Sequence, residues 1–339
     1  MTTPFEHDIA EQPAALLRLA EAAIPPLDAL TGRAWPRIVL TGMGSSHFAG
    51  IPTWRHLIAQ GTAAWSVDAG QLLDDGGLIT PDTLLIVTSQ SGASGEITEL
   101  LDRRQGGRIT PATLVGITDD RTSPLALAAD LLLPLHSGPE ATVSTKSYLN
   151  TLAVHRLLRA GFAGEDVERV RRTELPAAAA AVRQVLDDHG LRRALAAAAH
   201  PRHRLSCIGI RDTAATARFA ALVIKESAKI AAEGYVGGEF RHGPFELAGE
   251  GHTALLFLPP DHEPDPTLQR LAKDLRTAGS QVIVVGDPRV EATTSIPVPG
   301  GSALAAGAVV AELFAVALAQ ANGVVPGAFV HGRKITTTR

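Results

Sequence analysis

A single cysteine, Cys207, stands in the 339 residues. No intrachain disulfide can form. Its place inside the apolar run Leu205–Ile210 marks it as a buried core thiol rather than a nucleophile. The twelve histidines are scattered. None joins a cysteine or a second histidine at zinc spacing or forms the helical pair of a metalloprotease, so no metal is expected. The chain also lacks any long run of one charge, and its net charge is only −4. That excludes the basic footprint of a nucleic-acid protein. A small anionic substrate would have to be held by local donors. The opening MTTPFEHDIAEQPAALLRLA is acidic early and has no continuous apolar stretch, unlike a signal peptide. The longest apolar run, about Ala303 to Ala321, is alanine-rich and interrupted by Glu312 and Gln320, which suits a buried helix better than a membrane span. A cytoplasmic protein with no membrane partner is expected.

What is present is a globular composition, 45% hydrophobic and 19% charged, at a length comfortable for two domains. Residues 5–30 predict a helix or two, broken at Pro25-Pro26. Arg37–Thr41 predicts a strand running into Gly42-Met43-Gly44-Ser45-Ser46, then a helix over His47–Gln60. Such a turn aims backbone N–H groups and hydroxyls at an anion. A dinucleotide fingerprint would need a third glycine where His47 stands. The next strand-like piece, Ala64–Val67, does end at an acid, Asp68, but the glycine spacing argues against a nicotinamide cofactor.

The pattern recurs. Thr83–Thr88 predicts a strand, followed by Ser89-Gln90-Ser91-Gly92-Ala93-Ser94-Gly95 and a helix from Glu96 to about Arg104. Serine and glycine are ordinary turn and cap residues, yet three serines and a glutamine in one turn also make the convergent polar set of a ligand site. Strands at Thr113–Thr118 and Asp130–Leu135 complete a parallel sheet of a doubly wound unit. Thr142-Val143-Ser144-Thr145-Lys146-Ser147 then opens a helix over Tyr148–Ala160, a further hydroxyl cluster whose lysine suits an anion or a surface ion pair. An Arg- and Ala-rich helical stretch, Glu165–His200, leads to a second half with strands at Leu205–Ile210, Thr253–Leu258, Gln281–Val285 and Ser295–Val298 and a last helix over about Leu304–Asn322. The tail VVPGAFVHGRKITTTR is too apolar to be solvated and is expected to pack, carrying Lys334.

Phe219–Leu247, FAALVIKESAKIAAEGYVGGEFRHGPFEL, is the segment around which the rest is organised. Phe219, Leu222, Val223 and Ile230 recur at helical steps, and Glu226 falls on that face with Lys225 and Lys229 beside it. Gly234, Gly237 and Gly238 then permit turns, and an irregular segment carries Glu239, Arg241 and His242 up to Gly243-Pro244. An acid on a helix followed by an imidazole on a loop can serve as an acid/base pair. Each taken alone also fits a solvated surface.

Six ordered blocks resemble the sugar isomerase (SIS) superfamily: EHDIAEQPAALLRL, GSSHFAG, SQSGASGE, VSTKSYLNTL, KESAKIAAEGYVGGEFRHGP and RKITTT. The chain resembles most the isomerase half of glucosamine-6-phosphate synthase and its stand-alone two-SIS relatives. The resemblance implies two doubly wound, flavodoxin-like α/β domains in tandem: an N-terminal helical segment (1–30), a first SIS domain (31–165), a helical linker (166–200), a second SIS domain (201–322) and a tail over the site (323–339). It also implies roles. Gly44, Ser45 and Ser46, with Ser89, Gln90, Ser91 and Ser94, would hold a sugar phosphate, and Thr142 and Ser144 would approach the sugar hydroxyls. Glu226 would move a proton between C1 and C2. His242, often supplied by a neighbouring subunit, would open the ring. Lys334 would condense with a ketose carbonyl. No cofactor is implied, and a homodimer is.

Two departures from the family qualify this. No glutaminase is expected ahead of the opening helix. Phe219 and Val223 stand where the synthase carries a glutamate and a lysine. The expected activity is therefore an aminosugar-phosphate deaminase/isomerase. A fructosamine-6-phosphate deglycase and a non-catalytic sugar-phosphate sensor are the alternatives.

Overall fold

Strands of a parallel sheet that are covered on both faces read as unbroken apolar runs, and these runs become the two sheets of the fold. The structure, a computed structural model, describes residues 2–258, 263 and 265–337. Met1 of the opening segment, and Thr338 and Arg339 of the tail, lie outside the described residues. The chain divides into two compact units. The first-sheet unit comprises Ala14–Glu140, Lys146–Pro176 and His331–Arg339, and the second-sheet unit Met1–Pro13, Ala141–Thr145 and Ala177–Val330.

Two helices, α1 (Pro4–Glu21) and α2 (Asp28–Thr31), flank Pro25-Pro26 as expected. The first sheet follows through β1 (Arg37–Gly42), α3 (Gly44–Ala49), α4 (Ile51–Ala59), β2 (Ala64–Asp68), α5 (Ala69–Asp74), β3 (Thr83–Thr88), α6 (Gly95–Gln105), β4 (Thr113–Thr118), α7 (Pro124–Ala128), β5 (Leu131–Pro134) and α8 (Lys146–Phe162). Its order is β2-β1-β3-β4-β5, all parallel. All six residues of β3 are buried. Leu85 and Val87 pack with Val39, Ile97, Leu100 and Leu114.

Helices α9 (Val167–Asp187) and α10 (His189–Ala198) lead to β6 (Arg204–Gly209), α11 (Thr213–Ala228), β7 (Ala232–Val236), β8 (His252–Leu258), α12 (Pro266–Thr277), β9 (Gln281–Gly286), β10 (Thr294–Pro297) and α13 (Ala303–Ala321). The second sheet is ordered β10-β9-β8-β6-β7 and is likewise parallel. Read from β7, this is the strand order of the first sheet. Both are doubly wound sheets of flavodoxin type, in which the strand order reverses between the first and third strands. Helix α13 is long and apolar enough by composition to cross a membrane, but most of it is buried, against α10 and α11 of its own unit. Cys207 is buried in β6, and burial pushes its thiol up to about 12.

Four expectations are corrected. The tail does not bury the apolar side chains expected to make it pack: Val325, Val330 and Ile335 are exposed. The glycine-bearing segment after α11 is not wholly irregular: Ala232–Val236 forms β7, the edge strand beside β6. Ile230 is not on the face of α11, because the helix stops at Ala228 with Lys229 left-handed at φ 59°. Lys146 is not a surface lysine. It opens α8 buried, its ammonium donating to the Pro139 carbonyl at 2.6 Å.

Candidate active site

In a doubly wound sheet, ligands bind beyond the carboxyl ends of the strands at the point where the order reverses. In the first-sheet unit that point lies between β1 and β3, where Gly42 is paired with Thr88. A Cβ on Gly42 would lie 2.7 Å from the Thr88 carbonyl oxygen, so only glycine permits this approach. The helix entered directly after β1, α3, opens with Gly44, Ser45 and Ser46, all half-buried. The turn after β3 carries Ser89, Gln90, Ser91 and Ser94. Adjacent strands thus bring together the whole expected phosphate set.

The second turn is built by its own hydroxyls. Ser89 Oγ accepts the Gly92 amide at 3.2 Å, and Ser91 Oγ accepts the Ala93 amide at 3.3 Å. The Gln90 carbonyl accepts Thr118 Oγ1 at 3.0 Å and the Asp119 amide at 3.1 Å. Ser94 differs. It occupies the N-cap of α6 with extended backbone but makes no side-chain cap bond, and its buried Oγ has no partner among the described residues. A serine at this position ordinarily caps its helix. Here the hydroxyl is left for something else at the positive end of an eleven-residue helix.

The tail reaches this turn within the same unit. Thr336 accepts the Gly95 amide at 3.0 Å, and Lys334 Nζ stands 2.6 Å from Glu140 Oε2. The Glu140 side chain is fully buried. Ser147 donates to it twice, from its amide at 3.0 Å and its hydroxyl at 2.7 Å. Burial raises this carboxyl, but the Lys334 charge and the hydrogen bonds outweigh it and hold it below the ordinary carboxylate value. Sequence reasoning missed Glu140, although it stands only two residues before Thr142.

The second-sheet unit holds the remaining candidates. Glu226 is half-buried in the last turn of α11. Phe219 and Val223, on the same helix, are buried. Both are core positions. Thr142 Oγ1 donates to the Gly327 carbonyl at 2.6 Å, and the Gly327 amide donates to the Ser227 carbonyl at 3.4 Å. The tail thereby links Thr142 to the residue next to Glu226. Ser144 is half-buried in the same short segment as Thr142. Lys229 donates to the Glu226 carbonyl.

His242 follows β7 on a 3-10 turn, Gly237–Arg241, which its amide closes on the Glu239 carbonyl at 3.0 Å and neighbouring side chains hold. Glu239 Oε2 accepts the Val236 amide at 2.9 Å, and Arg241 pairs with Asp274 at 2.7 Å. Phe240 is buried, edge-on to Tyr235 and stacked on His252 at 5.9 Å. His252 in turn contacts the Ser280 and Ser206 hydroxyls, each at 3.0 Å. His242 is exposed, and its ring has no hydrogen-bond partner among the described residues. Asp68, the acid weighed for a dinucleotide ribose, caps α5 by accepting the Gln71 amide at 3.1 Å. Among the described residues one acid/imidazole group has metal-ligand proximity, His7, Asp8 and Glu11 on α1.

The SIS domain family matches residues 33–160 and 200–288, and the chain belongs to that family. It is similar to the glutamine–fructose-6-phosphate aminotransferase (isomerizing) of Zymomonas mobilis, 26% identical over 307 residues that cover 84% of this chain and 49% of that protein. It is similar to the enzyme of that name from Aeropyrum pernix, 28% identical over 320 residues, 88% of this chain and 50% of that protein. The chain spans about half the length of these curated relatives. Among solved structures, the C-terminal domain of glucosamine-fructose-6-phosphate aminotransferase from Francisella tularensis superposes with TM-score 0.82 at 22% identity, covering 95% of this chain and 97% of that one. Glucosamine-6-phosphate deaminase from Thermotoga maritima gives 0.75 at 22%, covering 98% and 99%. These likenesses establish the fold as two tandem SIS domains.

Proposed function

We propose that this chain is a cytoplasmic, homodimeric aminosugar-phosphate deaminase/isomerase that converts a glucosamine-6-phosphate-like substrate to a ketose 6-phosphate and ammonia. The tandem domain bodies at 31–165 and 201–322, with the tail 323–339 completing the site, underlie this reading. The observation that carries it is the Ser94 hydroxyl. It is buried at the start of α6, is not used as a cap, and lies one residue from the amide that binds the tail. A phosphate would take that hydroxyl together with Ser46, Ser89, Gln90 and Ser91. Thr142 and Ser144 would meet the sugar hydroxyls.

The chemistry is assigned to three residues. His242 opens the ring by moving a proton to and from the ring oxygen, which an exposed imidazole can do near neutral pH. Glu226 carries a proton between C1 and C2 on one face through an enediol-type intermediate, an enolamine for an aminosugar, and water then hydrolyses the resulting C2 imine to the ketose and ammonia. Lys334, once released from Glu140, is the amine that condenses with the ketose carbonyl. No cofactor enters these steps. The burial of Phe219 and Val223 favours a second reading, a fructosamine-6-phosphate deglycase, since the charged pair of the synthase is missing.

Ammonia and hexose-phosphate release would be measured on glucosamine 6-phosphate, galactosamine 6-phosphate and a fructosamine 6-phosphate, for wild type and Glu226→Gln. Ammonia from an aminosugar phosphate, reduced about 10²–10⁴-fold in the variant, supports the deaminase. Glucose 6-phosphate from the fructosamine alone supports the deglycase. Saturable binding without turnover of any substrate would leave a sensor.

A further inference from the structure

We propose that His155 is a positioning residue that sets the two phosphate-binding turns of the first-sheet unit in register with each other. The inference rests on the reading of those turns as a phosphate site and names what fixes their geometry. His155 lies in α8 and is buried. Its Nδ1 is 3.0 Å from Thr53 Oγ1 on α4, and its Nε2 is 3.4 Å from Thr88 Oγ1 at the end of β3. The ring also lies beside Gly50, where an added Cβ would meet Cε1 at 3.7 Å. Gly50 directly follows the helix that carries Ser45 and Ser46. Thr88 directly precedes Ser89. One imidazole thus lies beside the residue that closes the first turn's helix, contacts α4 through Thr53, and contacts the residue that leads into the second turn.

The tautomer follows from the donors. Thr53 Oγ1 donates its only proton to the His155 carbonyl at 3.1 Å. With that bond made, one tautomer satisfies both ring nitrogens: Nδ1 donates to Thr53 Oγ1 and Nε2 accepts from Thr88. Burial pushes the ring down to about 3, so it stays neutral and is no charged ligand for a phosphate. Replacing a satisfied buried polar pair with apolar groups of the same shape is commonly near neutral for stability. Core filling alone therefore does not call for a histidine here. What the imidazole adds is direction at two points, and a fully satisfied polar network specifies one arrangement of the elements it joins.

The test is calorimetric titration with inorganic phosphate, glucose 6-phosphate and unphosphorylated glucose. It compares wild type, His155→Phe, His155→Gln and Thr88→Val, each checked for native circular dichroism. His155→Phe and Thr88→Val are expected to weaken both phosphorylated ligands about tenfold, as sub-ångström misplacement of a binding group does. In turnover the loss should fall on KM, with kcat within about twofold of wild type. His155→Gln, whose amide can still accept from Thr88, should recover most of the affinity. Thr88→Val leaves α8 untouched and decides the matter if His155→Phe does not fold. Unchanged phosphate affinity in folded variants overturns the inference while the proposed function stands. No binding of any phosphorylated ligand by wild type overturns both.

Discussion

Lys334 and Glu140 are 194 positions apart in sequence, yet their charged atoms meet at 2.6 Å with the carboxylate fully buried. The pair fixes the tail by one end, and the Gly95–Thr336 hydrogen bond fixes it again two residues later. Held this way, Lys334 is engaged by the carboxylate, so the proposed use of it as a nucleophile requires a substrate that draws it off.

Glu140→Gln should therefore loosen the tail. We expect a stability loss of about 1–3 kcal/mol, the range for weakening a buried, hydrogen-bonded charge pair, and faster hydrogen exchange at the Gly95 amide. The pH dependence has a definite sign. The folded Glu140 carboxyl is held below its ordinary value, so its contribution is present above that value and is lost as pH falls through the folded one. Urea midpoints of the variant should lose that acid sensitivity. Unchanged Gly95 protection would show that the tail is held by something else.

Gly327→Ala should be costly for two separable reasons. Gly327 is left-handed at φ +76°, and a Cβ there would lie 2.4 Å from Phe5 Cβ. Backbone strain and overpacking together should cost about 2–4 kcal/mol. Removing the Phe5 side chain, Cβ included, with Phe5→Gly in the same chain should relieve the clash but not the strain. In a double-mutant cycle the two changes should couple by about 1 kcal/mol or more. Additive losses would mean that Phe5 moves aside without cost.

Two buried histidines set a slope. An unfolded imidazole takes up its proton near the ordinary 6.5, whereas folded His252 does so only near 4 and His155 near 3. Between those limits the unfolded chain binds more protons, so acid favours unfolding. The stability from each ring is complete above 6.5 and falls by about 1.4 kcal/mol per pH unit below it. Removing His252 should flatten the curve between pH 6.5 and 4.5 by that slope, whatever it does to the absolute stability. Denaturant titrations at three pH values read it.

Cys207 should be inert. Its thiol is buried in β6 and pushed up to about 12, so thiolate is negligible at neutral pH. A thiol reagent such as dithionitrobenzoate should react only when the chain unfolds. Stoichiometric labelling of the native protein would contradict the buried placement.

The central strands were legible because buried parallel strands such as Thr83–Thr88 are apolar without interruption. The edge strand Ala232–Val236 was not, because Glu233 is exposed and Gly234 reads as a turn. Its glycine has another cause: a Cβ at Gly234 would lie 2.8 Å from the Arg218 Cα, so α11 crosses it too closely for a side chain. The candidate phosphate turns were visible as Ser/Gly clusters after a strand. Glu140 and His155 were invisible because their meaning lies in partners 194 and 67 positions away. The fate of Lys146 was hidden for a related reason, since no local pattern distinguishes an ammonium facing water from one facing the Pro139 carbonyl.

The two units interleave along the chain. It changes unit after Pro13, Glu140, Thr145, Pro176 and Val330, and the first and fourth of these changes fall inside α1 and α9. Thr142 and Ser144 sit in a five-residue insert flanked on both sides by residues of the other unit. No single scission yields two self-sufficient halves. A cut between the sheets would strip each unit of a piece coded on the wrong side of the break. The sheets share one topology but are not interchangeable parts, and a gene encoding them cannot be shuffled domain by domain as a string of beads can.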